Sequence, residues 1–66
     1  MPFITIEGPP IKDINVKRRL VKELTEIAAQ AYQLPEQIIH VLIRENLPEN
    51  VGTGGKLIYD KKKSDI

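Results

Sequence analysis

The chain has 66 residues, with ten basic and nine acidic side chains, a net charge of +1, one histidine and no cysteine. Disulfides and thiolate metal sites are therefore excluded, the one histidine, His40, leaves a zinc site short of ligands, and the charge balance lacks the positive excess that marks nucleic-acid binders. A chain of this size buries only about 60% of the surface its unfolded form exposes, so self-association is the remaining route to added stability.

Residues 3–7, "FITIE", alternate, with Ile4 and Ile6 on one side and Phe3, Thr5 and Glu7 on the other. Period two with β-branched residues predicts a strand, and Gly8, Pro9 and Pro10 end it, because consecutive prolines cannot continue a ladder. Asp13, with Asn15 as a rival, is the candidate N-cap of a helix. Its apolar stripe runs through Val16, Leu20, Leu24, Ile27, Ala28, Ala31 and Leu34. Pro35 is expected to stop it, giving about 20 residues and roughly 30 Å of helix. Residues 38–43 are apolar apart from His40, the pattern of a parallel strand covered on both faces. One helix covers only one face of a two-stranded sheet, so the second face is expected to meet another subunit. Gly52, Gly54 and Gly55 then supply a hairpin, with residues 56–59, "KLIY", as a short strand. The order predicts an α+β fold: a single β-α-β unit with a C-terminal β-hairpin, assembling into an oligomer. Residues 1–60 make one domain and 61–66 a polar tail.

Two short basic clusters, at residues 17–19 and 61–63, read as solvated surface; a salt-dependent affinity for DNA or RNA would be the signature of the contrary reading. "VGTGGK" at 51–56 lacks the spacing of a phosphate loop and leads into a strand, so it reads as a turn. No apolar run is long enough to span a bilayer and no leader precedes the first strand. Neither a nucleic acid nor a membrane is expected as a partner. The lack of cysteine fits a cytoplasmic location.

Pro2 raises a chemical possibility as well as a structural one. Proline is tolerated at a strand's first residue, and loss of Met1 would leave it as a secondary amine at the chain terminus. Pro2, the short strand, one long amphipathic helix, a second parallel strand and "VGTGG", in this order and spacing, resemble the 4-oxalocrotonate tautomerase family over residues 2–57. The resemblance implies a homohexamer built as a trimer of dimers, no metal or organic cofactor, and isomerisation of a small anionic unsaturated keto or enol acid with Pro2 as catalytic base. The family's best-studied members carry arginines where this chain has Lys12 and His40, and often an aromatic residue where it has Val51. Lys12, His40 and Val51 are thus carried over as substrate-binding positions. Arg44, on the same strand face as His40, is the candidate for a missing guanidinium or for an ion pair across an interface.

The chemistry constrains these roles. A base that removes a proton beside a carbonyl works best with a pKa near the working pH, whereas a terminal amine titrates near ~8 and a secondary one higher. Apolar walls (Phe3, Ile39, Val51) and neighbouring cations (Lys12, His40) would lower it. Negative charge on the enol oxygen needs a facing donor or cation. The alternative is a catalytically silent member of the same scaffold that acts as a binding or assembly module.

Overall fold

The structure, a computed structural model, describes residues 1–61. Strand β1 (Phe3–Gly8) and strand β2 (His40–Glu45) pair in parallel, in register from Phe3 opposite His40 to Gly8 opposite Glu45. Helix α1 (Ile14–Tyr32) connects them. Exposure alternates along both strands: Ile4, Ile6, Val41 and Ile43 are half-buried, while Phe3, Thr5, Glu7, His40, Leu42 and Arg44 are exposed on the other face, as the period-two pattern of β1 requires. Strand β2, expected to be covered on both faces, is covered on one within the protomer.

Asp13 is the N-cap. Its extended backbone turns the chain into the helix and its carboxylate accepts the Asn15 N–H at 2.9 Å, satisfying one of the free amides of the first turn. The helix ends before Pro35 can act. Gln33 adopts the left-handed conformation (φ 56°), and the Gln33 and Leu34 N–H groups bond back to the Gln30 and Ala29 carbonyls at 3.3 and 3.1 Å. That pattern is a Schellman cap, and Pro35 instead begins a short 3-10 turn at Glu36–Ile38. Ile38, expected in the strand, lies in this turn, and β2 starts two residues later.

The helix face covering the sheet differs from the predicted stripe. Leu20, Val21, Leu24 and Ala28 are buried or half-buried, whereas Val16 and Ile27 are 50% and 65% exposed. The expected stripe merged two faces, one on the sheet and one beside it. Ala28 and Ile39, each 8% exposed, are the buried core residues of the described chain. The outer face of the sheet is uncovered, as the one-helix argument anticipates.

After β2, a 3-10 turn (Pro48–Asn50) leads to strands β3 (Gly52–Thr53) and β4 (Lys56–Leu57), an antiparallel hairpin. Gly54 and Gly55 both have positive φ (61° and 86°), the requirement of a tight two-residue hairpin turn. The strand expected over residues 56–59 stops at Leu57, and helix α2 (Ile58–Lys61) takes over. Lys61, assigned to the polar tail, is the last residue of α2; the remaining tail and Lys62 and Lys63 of the second basic cluster lie outside the described residues. No helix among the described residues is long and apolar enough to cross a membrane.

Candidate active site

Pro2 stands immediately before β1, and its carbonyl accepts the His40 N–H at 3.1 Å. This bond makes residue 2 the first rung of the ladder. Only the carbonyl side of Pro2 is used, because proline nitrogen has no hydrogen to donate. Met1 beyond it is 76% exposed. While Met1 is attached, the Pro2 nitrogen is an amide with a delocalised lone pair and cannot act as a base.

Next to Pro2, the Phe3 and His40 rings stack at 5.3 Å between centroids and 27° between planes. The parallel register sets this pair, because it puts residues 3 and 40 directly opposite on the exposed face. Pro2, Phe3 and His40 therefore share one end of the sheet. Ile39, a proposed wall, is buried beside them in sequence.

The other predicted site residues lie at the opposite end. Arg44 is on the His40 face, as expected, but four residues further along; its guanidinium stands 3.7 Å from the Glu7 carboxylate across the ladder, with both side chains largely exposed. Lys12 is exposed in the segment between β1 and α1. Val51 is half-buried and lines a cleft of about 350 Å³ together with Glu7, Gly8, Pro9, Asn46 and Ile58. Six strand residues at about 3.3 Å each separate this end from Pro2 by roughly 20 Å. One protomer thus brings Pro2 and His40 together and keeps Lys12, Arg44 and Val51 apart from them.

A carboxylate overlooked in the sequence organises the far end. Glu45, the last residue of β2, accepts the Ile11 N–H at 3.0 Å and the Lys17 ammonium at 2.7 Å through the same oxygen. The hydrogen bond from Lys17, reinforced by the Ile11 amide, holds the Glu45 carboxyl below the usual glutamate range. A lone acidic residue closing an apolar strand carries no local signal of this contact, which spans 34 positions.

The first basic cluster is spoken for. Lys17 meets Glu45, Arg18 donates to the Asn15 side chain at 2.8 Å, and Arg19 pairs with Glu23 at 3.3 Å. One turn on, Lys22 bonds Glu26 at 3.1 Å, which raises its pKa. These pairings leave no contiguous row of unpartnered cations along that stretch of α1. No group of three or more His, Asp or Glu side chains among the described residues is arranged to hold a metal ion.

With this geometry in hand, comparison with known proteins is informative. A family model described as "Tautomerase enzyme" matches residues 2–61, beginning at Pro2. A curated "Probable tautomerase" of Listeria monocytogenes is 36% identical over 66 residues, covering all of both chains. The crystal structure of DmpI from Archaeoglobus fulgidus is 44% identical, covers 89% of this chain and all of its own, and superposes with a TM-score of 0.79. A heterohexamer 4-oxalocrotonate tautomerase from Chloroflexus aurantiacus, 23% identical over 91% of this chain and 97% of its own, shares the fold with a TM-score of 0.79. The full-length match of sequence and the β-α-β unit with its hairpin agree: this chain belongs to the tautomerase enzyme family.

Proposed function

We propose that the chain, once Met1 is removed, is an isomerase that interconverts the enol and keto forms of a small unsaturated 2-hydroxy or 2-oxo acid, with Pro2 as general base and no cofactor. The observation that carries this reading is the setting of Pro2: its carbonyl is fixed by His40 while its nitrogen stays outside the ladder. A free amine there is held in place without being consumed by a hydrogen bond. The neutral nitrogen takes the proton of the enol hydroxyl, the π electrons shift to form the 2-oxo group, and the same nitrogen returns the proton to carbon, in a 1,3 or 1,5 sense. No electrons enter or leave.

The split site supports an oligomer. Lys12, Arg44 and Val51 can serve Pro2 only from another copy of the chain, with the cleft lined by Val51 facing a neighbour's terminus. A homohexamer arranged as a trimer of dimers meets this need, and the bare sheet face and the exposed Val16 and Ile27 supply apolar surface for it. Lys12 then offers a point charge to the substrate carboxylate without the two-pronged fit of arginine, and His40 a ring N–H as a hydrogen-bond donor. The second reading, a silent assembly module, draws on the same apolar surface, since association needs no free amine.

One paired experiment separates them. Intact mass of protein made in its own host reports the state of residue 2. Ketonisation of phenylenolpyruvate and 2-hydroxymuconate, followed by ultraviolet absorbance, reports the chemistry. Turnover by the trimmed chain that is lost in a chain retaining Met1 is the expected result. Inertness of trimmed protein toward both enols would establish the silent module instead.

A further inference from the structure

Lys12 is an exposed side chain, but the backbone that carries it is pinned on both sides. Ile11 is tied to β2 through its N–H to Glu45 at 3.0 Å. Asp13 is tied to α1 through its cap to Asn15 and through its carbonyl, which accepts the Val16 N–H at 3.0 Å. Glu45 does more than hold Ile11. The same carboxylate oxygen reaches Lys17, one turn into α1, at 2.7 Å, and its own strand end is locked by the Asn46 N–H to the Gly8 carbonyl at 2.8 Å. One carboxylate therefore joins the end of β2, the segment bearing Lys12 and the first turn of the helix.

We propose that Glu45 is a positioning residue for substrate recognition, fixing the Ile11–Lys12–Asp13 backbone so that the Lys12 ammonium is presented in one place to the anionic substrate. The inference rests on the reading of Lys12 as a substrate-binding residue. Without the Glu45 contact, the two prolines preceding Ile11 and the cap at Asp13 still bound the segment. The peptide between them loses the Ile11 bond to the sheet, and binding the substrate must then also order the segment.

The test compares Glu45→Ala and Glu45→Gln in trimmed protein, each in the wild-type and in the Lys12→Ala background. Glu45→Ala is expected to raise KM for 2-hydroxymuconate about tenfold, the factor associated with one charge-assisted hydrogen bond, with kcat within about twofold. Glu45→Gln keeps an acceptor for the Ile11 N–H and should recover about half of that loss on a logarithmic scale. In the Lys12→Ala background both substitutions should leave KM unmoved. The same cycle is read as the dissociation constant of 2-oxoadipate by calorimetry, so it does not depend on residual turnover. Hydrogen exchange at the Ile11 amide should quicken in Glu45→Ala. Equal KM changes in the two backgrounds, or an unchanged KM in Glu45→Ala, would overturn the positioning role while leaving the tautomerase reading intact. Trimmed wild-type protein that turns over neither enol would defeat that reading, and this inference with it.

Discussion

Ile27 offers the sharpest test of the claim that this chain needs its own copies. It is 65% exposed on the side of α1 that does not cover the sheet, in line with Val16. Replacing it with glutamate costs an isolated protomer little, because the position is already wet and glutamate is at least as good a helix former as isoleucine. In an assembly that covers this ridge the outcome differs. Fully burying an isoleucine stabilises by ~1.5–3 kcal/mol, so completing its burial contributes about 1–2 kcal/mol per chain. A carboxylate placed there without a partner costs several kcal/mol more, and Glu23 one turn earlier adds like-charge repulsion. The loss is at least ~4 kcal/mol per chain, about a thousandfold in association. The protomer's surface supports the premise. It exposes 5358 Å², where a compact monomer of this mass exposes about 4,250 Å². Sedimentation velocity of wild type and Ile27→Glu at matched concentrations, with circular dichroism melts, reads both halves of the argument. The wild type is expected to sediment as an oligomer and the variant as smaller, less stable species. An Ile27→Glu protein that keeps the wild-type sedimentation and melting temperature would refute the reasoning.

Three further outcomes follow from local geometry. Asp13→Ala removes the side-chain cap of α1 and should cost about 1 kcal/mol, a drop of roughly 4–8 °C in melting temperature; no change would show that the Asn15 amide finds another acceptor. Gly55→Ala forces a side chain into a backbone with φ 86° and should cost about 1–2 kcal/mol, read as a lower denaturant midpoint with an unchanged slope. Because the Glu45 carboxyl titrates below its ordinary range, its contribution is complete above the unfolded glutamate pKa of about 4.3 and fades as pH falls through the lower folded value. Melting temperatures of Glu45→Gln and wild type should therefore draw together as pH falls below the unfolded glutamate pKa of about 4.3 and through the lower folded value, and a gap that persists at the acid end would contradict the assignment.

Much of the architecture was legible because it rests on local chemistry. Alternation set the two faces of β1, Asp13 announced the helix start, and the adjacent glycines Gly54 and Gly55 announced the turn. The helix stripe was legible only as hydrophobicity: Val16 and Ile27 have the same spacing as residues that do face the sheet, and sequence does not label which apolar face meets the chain's own strands. The helix stop was misread for a related reason. Gln33, a residue with no special turn preference, adopts the left-handed conformation, and the Schellman bonds closed the helix before Pro35 exerted its restriction. Of the candidate site, the shared face of His40 and Arg44 follows from strand period, whereas Pro2 stands out through the amine that loss of Met1 would leave and through the family resemblance. The separation of Pro2 from Lys12 and Val51 follows from parallel pairing, which puts the two groups at opposite strand ends. Glu45 stayed hidden because its partners come from elsewhere in the chain.

The bond from His40 to the Pro2 carbonyl has a practical corollary for anyone handling this protein. A purification handle or fusion partner joined upstream would leave that rung undisturbed, so the product would keep its ladder while the Pro2 nitrogen stayed acylated. Two copies linked head to tail would carry at most one free proline amine between them, whatever their combined structure looked like.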